Sequence, residues 1–112
     1  MDCLFCKIAA GDIPSEKVYE DEKVLVFRDI QPQAPTHLLA IPKTHIESPA
    51  DITGENSGCV AHLFEVIARV AAEQGLEKGF RVVSNCGEDG QQSVPHLHFH
   101  ILGGRQMAWP PG

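Results

Sequence analysis

Three histidines at alternate positions constrain this chain more than any other feature. His96, His98 and His100 lie in the stretch VPHLHFHIL, residues 94–102. Side chains two residues apart in a β-strand point to the same face, so this spacing predicts a strand with a row of imidazoles on one side. The residues between them are apolar and are expected to enter the core: Leu97, Phe99 and Ile101.

The length and composition of the chain are those of a small globular domain. It has 112 residues, of which 43% are hydrophobic and 21% charged, so a single domain over residues 1–112 is expected. The net charge of −6, without a lysine or arginine cluster, argues against nucleic-acid binding. No apolar stretch reaches the ~20 residues that span a bilayer, and no secretory signal is apparent. We therefore expect a cytoplasmic protein without membrane association.

Turn residues and period-two patterns predict five strands and two helices. The strands are expected at residues 17–20, 23–28, 36–41, 80–85 and 97–102. A short helical turn is expected over residues 3–10 and a long helix over residues 57–74, with Gly75 directly after its end. The predicted fold class is α+β, with a five-stranded antiparallel sheet, one long helix and one short helix.

The long helix carries two apolar stripes. The stripe expected to pack on the sheet consists of Val60, Leu63, Phe64, Ile67 and Ala71. A second stripe, about 110° around the helix, consists of Cys59, Val66 and Val70. One helix on one sheet needs only one stripe, so the second indicates either a broad buried face or, as we favour, a contact between subunits.

The histidine row fits two kinds of chemistry better than a plain solvent-facing strand, for which serine, threonine or lysine would serve equally well. A zinc site is one, because neutral imidazole is a common ligand. Ligands must converge to ~2.1 Å from one ion, whereas the outer histidines of a strand lie ~13 Å apart, so two of them can share a metal but three can hardly do so. Nucleophilic and acid–base catalysis is the other kind.

The loop before the histidines favours catalysis on a phosphate. Gly87 and Gly90 permit backbone conformations that aim N–H groups at an anion, and Asn85 and Ser93 add side-chain donors. An anion cradle beside a nucleophilic imidazole suggests phosphoryl or nucleotidyl transfer.

Three segments of the chain resemble the histidine-triad family, in its nucleotide-binding branch. They are DIQPQAPTHLLAIPKTH, GEDGQQSVPHLHFHILGG and the closing GGRQMAWPPG, and the resemblance extends over nearly the whole length. It implies a homodimer whose two sheets join into one ten-stranded sheet, with the long helix and the C-terminal tail at the interface. It also implies a purine nucleoside phosphoramidase that hydrolyses P–N and related bonds of AMP conjugates through a nucleotidyl-histidine intermediate.

The resemblance also assigns roles to individual residues, with AMP, GMP or adenosine as the purine ligand. His98 is the implied nucleophile, His100 contacts the phosphate and assists the leaving group, and His37 supports the proton state of His98. Asp29 is implied to grip the ribose hydroxyls. The implied phosphate and leaving-group contacts are Asn85, Gln92 and Ser93. The implied base-pocket residues, for which core packing is the stronger reading from residue type alone, are Phe5, Ile8, Phe27, Ile30 and Leu39.

The N-terminal cysteines indicate a metal site. Cys3 and Cys6 form a C-x2-C pair, the spacing of half a tetrahedral zinc site. Some bacterial histidine-triad proteins add a histidine after the third strand and the first triad histidine, and this resemblance implies His45 and His96 here. The expected cofactor is therefore a structural zinc, and the alternative is a pair of idle thiols.

The sequence raises expectations for several further residues. Gln91 replaces a common glycine, and Ala108 stands where close relatives often have a histidine, so both bear on substrate preference. Cys59 and Cys86 are expected to pack as small apolar groups. His62 is expected at the surface or at an interface.

Two other functions remain open at this stage. A nucleotide-binding scaffold or sensor dimer, with incidental hydrolysis, is the second hypothesis. A nucleotidyl transferase ranks third, because a chain this short leaves little room for an acceptor site.

Overall fold

A five-stranded antiparallel sheet forms the centre of the computed structural model, which describes residues 3–112. Its strands are β1 (Lys17–Glu20), β2 (Val24–Arg28), β3 (Thr36–Pro42), β4 (Phe80–Val83) and β5 (Phe99–Gly103). The helices are α1 (Leu4–Ala10) and α2 (Ser57–Glu73), and a 3₁₀ turn covers Pro49–Asp51. The predicted α+β class is confirmed, with β5 beginning later and β4 ending earlier than expected.

The strand order places the histidine strand inside the sheet. The order is β1-β2-β3-β5-β4, so β5 pairs with β3 on one side and β4 on the other. In the β3–β5 register, His37 lies opposite Leu102 and Leu39 lies opposite His100. His37 therefore comes close to the triad even though it is far from it in sequence.

Both faces of the sheet are buried. Val24 and Val26 of β2 pack on the α2 side, whereas Leu25 and Phe27 pack on the α1 side. This two-sided burial explains why β2 and β3 are almost continuously apolar in sequence. The α1 side is also where the triad histidines lie.

The burial of α2 shows that our interpretation of its second apolar stripe as a subunit contact was wrong. Val66 and Val70, which we favoured as a subunit contact, are buried in the chain's own core, whereas Phe64 is 45% exposed. The buried face is broad because Ile46 and Leu76, from the segments on either side of the helix, join the same cluster. Gly75 follows the helix with φ +74°, as expected for the residue after a helix C-terminus.

Cys59 and His62 lie where the sequence predicted, but Cys86 does not. Cys59 packs against the core, but Cys86 is exposed, so its expected burial was wrong. His62 is partly exposed and lies 2.8 Å (Nε2 to Oδ2) from Asp21 in the β1–β2 turn. Neither helix in the described part of the chain combines the length and apolar character needed to cross a membrane.

Candidate active site and candidate metal centre

A cleft of about 400 Å³ opens on the α1 face of the sheet. Its walls are largely apolar and come from α1, β2 and β3, while its polar end is formed by β5 and the segment before it. An apolar slot with a few polar groups at one end suits a ligand with a flat ring and a charged group. The predicted site residues that line it are Phe5, Ile8, Phe27, Asp29, Ile30, Leu39, Ser93, His98 and His100.

The orientation of His98 is set by the backbone two residues earlier. His98 is buried, with 3% of its surface exposed, and its Nδ1 lies 2.6 Å from the carbonyl oxygen of His96. A carbonyl only accepts, so Nδ1–H donates and the neutral ring keeps the lone pair on Nε2. The nitrogen free to attack an electrophile is therefore Nε2.

A chain of hydrogen bonds determines the proton positions on the other two histidines. The backbone N–H of Gln33 donates to Nδ1 of His37 at 3.0 Å, so the proton of a neutral His37 resides on Nε2. That Nε2 lies 2.8 Å from Nδ1 of His100 and 3.4 Å from Oδ2 of Asp29. His100 then accepts at Nδ1 and carries its own proton on Nε2.

His37 makes its ring contact with His100 and its charge contact with Asp29. The family resemblance implies that it supports the proton state of His98, and such support would act through His100. His98 and His100 still share an edge-to-face contact, with ring centroids 5.2 Å apart.

Burial disfavours the doubly protonated, charged form of His37 and His100. It lowers the pKa of His100 to about 4, with His98 and His37 acting in the same direction and Asp29 opposing them. Burial also lowers the pKa of His37, again opposed by Asp29. Both rings are therefore neutral near pH 7 in the ligand-free protein.

The side chains of Cys3, Cys6, His45 and His96 converge beside the cleft. The Cys3 Sγ–His96 Nδ1 and Cys6 Sγ–His45 Nδ1 separations are both 3.3 Å, and the two histidine Nδ1 atoms are 3.2 Å apart. Ligands around a tetrahedral zinc lie about 3.3–3.8 Å from one another, given Zn–N near 2.1 Å and Zn–S near 2.3 Å. The Cys2His2 set therefore suits a zinc site.

The hydrogen bond made by the other ring nitrogen of His96 also favours metal binding at Nδ1. Its Nε2 lies 2.8 Å from the carbonyl oxygen of Pro42, so Nε2–H donates and Nδ1 keeps its lone pair. Metal-ligating histidines are commonly oriented in this way. His96 is fully buried, and burial lowers its pKa, which favours the neutral form that binds a cation.

A second cluster of possible metal ligands, with a carboxylate and no thiols, lacks this feature. Asp29, His37 and His100 also bring ligand atoms together. However, Nδ1 of His37 faces an N–H donor, so a metal on Nε2 would require an imidazolate. This cluster is better explained as a hydrogen-bonded network than as a metal site.

The loop before β5 uses two of its predicted ligand residues to hold its own shape. Nδ2 of Asn85 donates to the carbonyl oxygen of Gly90 at 2.6 Å. The side chain of Gln92 accepts from the Gly87 N–H and donates to the carbonyl oxygens of Glu47 and Val94. Asn85 and Gln92 therefore do not line the cleft, whereas Ser93 does.

Gln91, which replaces a glycine common in the family, has an unusual backbone conformation. Its φ is +60°, the only positive value at a non-glycine among the described residues. This conformation costs roughly 1 kcal/mol for a residue with a side chain. A glycine at this position would adopt it without that cost.

Sequence reasoning missed one residue that supports the triad backbone and several that line the cleft. Ser84, just after β4, donates its hydroxyl to the carbonyl oxygen of His98 at 2.8 Å and so fixes the backbone of the triad. No local pattern marks Ser84, because its partner comes from a neighbouring strand. The cleft-lining residues that were not predicted are Leu4, Ile13, Pro14, Ser15, Arg28, Gln31 and Val94.

Known proteins are similar to this chain in sequence and in backbone over nearly its full length. The family model described as "Scavenger mRNA decapping enzyme C-term binding" matches residues 2–109. An uncharacterized HIT-like protein of Synechococcus elongatus is 48% identical over 111 residues, covering 99% of this chain and 97% of that protein. A 14 kDa zinc-binding protein of Zea mays is 53% identical over 111 residues, covering 97% of this chain and 87% of the relative.

The fold has a close match among solved structures. A HIT family hydrolase from Legionella pneumophila Philadelphia 1 superposes with a TM-score of 0.97 at 52% identity, covering 99% of this chain and 100% of that one. The similarity therefore extends over the segments that form the cleft and the metal cluster, and is not limited to one motif.

Proposed function

Because this chain belongs to the histidine-triad (HIT) family, we propose that it is a purine nucleoside phosphoramidase that releases AMP from conjugates linked through a P–N bond. The observation that carries the proposal is the pairing of a free Nε2 on His98 with a donor Nε2–H on His100 at the polar end of the cleft. Its purine ligands are AMP, GMP or adenosine.

His98 is the nucleophile. Its Nε2 lone pair attacks phosphorus, an N–P bond forms, and the P–N bond to the leaving amine breaks. The His96 carbonyl, 2.6 Å from Nδ1, stabilises the positive charge that develops on the ring. Water then attacks the same phosphorus, and AMP leaves with His98 restored.

His100 supplies the proton that the leaving nitrogen needs. Its pKa of about 4 leaves it neutral in the free protein. A bound phosphate raises that pKa because a nearby negative charge favours the imidazolium form. The imidazolium then passes its Nε2 proton to the amine and becomes neutral, and it regains a proton from the water that attacks in the second step.

The remaining cleft residues hold the nucleotide. Asp29 binds the ribose hydroxyls through its carboxylate, which has 17% of its side-chain surface exposed. Ser93 contacts the phosphate, and Asn85 and Gln92 contribute by holding the loop that presents the phosphate site. The purine lies against the apolar residues Phe5, Ile8, Phe27, Ile30 and Leu39.

Zinc bound by Cys3, Cys6, His45 and His96 has a structural role. Four protein ligands close the coordination sphere and leave no position for substrate. The chemistry it supplies is the cross-linking of the N-terminal segment to the sheet. The reaction itself uses the imidazoles.

The working form is a homodimer that joins two sheets through β4. This strand is an edge of the sheet, and Phe80 within it is 41% exposed. Phe64 of α2 and Trp109 of the tail add exposed apolar surface, at 45% and 81%. The other edge, β1, carries Lys17 and Glu20, charged residues that discourage strand pairing.

The test is a comparison of wild type with His98→Ala on adenosine 5′-phosphoramidate. We expect the variant to lose turnover by several orders of magnitude while its affinity for AMP changes little, because the nucleophile acts in the chemical step. A mass increase of one nucleotidyl group on quenched wild type would identify the intermediate.

His62→Ala is the matched control, since this histidine lies outside the cleft and is expected to leave turnover intact. Turnover by His98→Ala equal to wild type would refute the proposed nucleophile. Saturable AMP binding without turnover in wild type would favour the scaffold or sensor hypothesis.

A further inference from the structure

We propose that the metal site is a positioning element of the nucleotide cleft, so that zinc binding and AMP binding strengthen each other. This inference rests on the proposed function, since it concerns the regulation of the same cleft. Two residues, His96 and Phe5, make the connection.

His96 belongs to both sites. Its ring nitrogen Nδ1 lies 3.3 Å from Cys3 Sγ and 3.2 Å from His45 Nδ1, in the metal cluster. Its carbonyl oxygen lies 2.6 Å from Nδ1 of His98. A shift of His96 on loss of the metal therefore moves the group that selects the tautomer and orientation of the nucleophile.

Phe5 makes the second connection. It lies between the two cysteine ligands in sequence, and its ring packs edge-on against His98, with centroids 5.0 Å apart and an interplanar angle of 86°. The same ring also contacts His96 at 6.0 Å and Phe27 at 5.7 Å. Metal ligation through Cys3 and Cys6 thus holds an aromatic wall of the cleft in place.

Helix α1 is too short to hold this wall in place without contacts to the rest of the fold. A seven-residue helix has no stability of its own, so it depends on contacts with the sheet. Those contacts include the apolar burial of Phe5, Ile8 and Ala9 and the cysteine cluster itself. Phe5, Ile8 and Leu4 all line the cleft.

Thermodynamic linkage makes the consequence quantitative. If zinc increases the affinity for AMP by a given factor, AMP must increase the affinity for zinc by the same factor. Couplings of this kind are typically about 5- to 150-fold, and we expect one on the order of tenfold here.

The experiment measures AMP affinity by calorimetry on zinc-loaded and chelator-treated protein, with circular dichroism confirming that both are folded. Zinc affinity is then measured by competition with a chelating dye, with and without AMP. We expect about tenfold weaker AMP binding without zinc and the same factor in the reciprocal measurement. Equal AMP affinity in two folded forms would overturn the inference.

A second measurement uses only metal-loaded protein, in case the metal-free form unfolds. With ¹¹³Cd in the site, AMP is expected to shift the cadmium resonance of wild type. In Phe5→Leu, which keeps all four ligands and an apolar anchor, the shift is expected to be smaller. Cys86→Ser, an exposed cysteine outside the cluster, is expected to behave as wild type.

The outcomes separate this inference from the proposed function. AMP bound with no change at cadmium refutes the coupling alone. Absence of AMP binding in every form refutes the proposed function, and the coupling with it.

Discussion

Backbone groups decide which nitrogen of each histidine is reactive. The His96 carbonyl holds the proton of His98 on Nδ1, the Pro42 carbonyl holds that of His96 on Nε2, and the Gln33 N–H directs that of His37 to Nε2. Backbone atoms do not titrate, so these assignments persist across the pH range in which the rings are neutral. The same residue type thus serves as nucleophile, metal ligand and hydrogen-bond relay.

The buried His100 predicts an acid sensitivity. Its pKa is about 4 in the folded protein against 6.5 ordinarily, so between these values only the unfolded chain binds the proton. Its contribution to stability is therefore complete above pH 6.5 and is lost as the pH falls towards 4. From pH 7 to 5, zinc-loaded wild type should lose about 1–2 kcal/mol more unfolding free energy than His100→Gln, measured in urea. Identical losses in the two proteins would contradict this.

Gly90 is a residue at which a methyl group cannot be accommodated. A Cβ there would lie 2.3 Å from the carbonyl oxygen of Cys86, a backbone atom that cannot move aside without moving the loop. Gly90→Ala should therefore disrupt the Asn85–Gly90 hydrogen bond, lower the melting temperature by several degrees and weaken AMP binding. Gly58→Ala, with no atom within 4 Å of the added Cβ, is the control and should be neutral or stabilising.

The position of helix α1 depends on side-chain contacts from distant segments. Its N-cap is Cys3, whose Sγ accepts from the Cys6 N–H at 3.4 Å, so the two zinc ligands also organise the first turn. His45 follows β3 and His96 precedes β5. The metal site therefore ties one short helix to the ends of two central strands.

Metal removal is predicted to lower stability through this element. Wild type should bind one zinc per chain, and saturating zinc should raise the melting temperature by about 10 °C or more over the chelated form. Cys6→Ser should lose both the metal and the stabilisation. Cys86→Ser should keep both, and equal melting temperatures with and without zinc would contradict a structural role for the metal.

At the scale of the whole molecule, exposed aromatic side chains near β4 lack an explanation within a single chain. Phe64, Phe80 and Trp109 expose aromatic surface, and the tail lies beside β4, where Arg81 donates to the Ala108 carbonyl at 2.7 Å. The guanidinium of Arg81 also lies 5.9 Å from the Trp109 ring centroid. A partner's β4 region would cover this surface.

The dimer is tested by light scattering on the purified protein. Wild type should have twice the mass of one 12.2 kDa chain, whereas Phe80→Asp should shift towards the monomer because a charge replaces an apolar contact at the sheet edge. Ile30→Asp places the same charge on an exposed residue at the cleft and should remain dimeric. A monomeric wild type would refute the proposed assembly.

Local pattern alone was enough to predict much of this molecule. The alternation around His98 predicted a strand, turn residues predicted its neighbours, and the C-x2-C spacing indicated half a metal site. These predictions succeed because periodicity and turn chemistry act over a few residues, within the range that the chain itself dictates.

Other features depended on how distant segments meet. Cys3 and His96 are 93 positions apart, and their contact exists only because β5 pairs with β3 beneath α1. The same packing places His37 against His100 and buries Val66 and Val70 within one chain. It also ties the side chains of Asn85 and Gln92 into the loop before β5. Sequence determined which side chains share a face of a strand. Tertiary structure decided which side chains touch and which ring nitrogen of each histidine is free, because both depend on the pairing of distant strands, which no local spacing encodes.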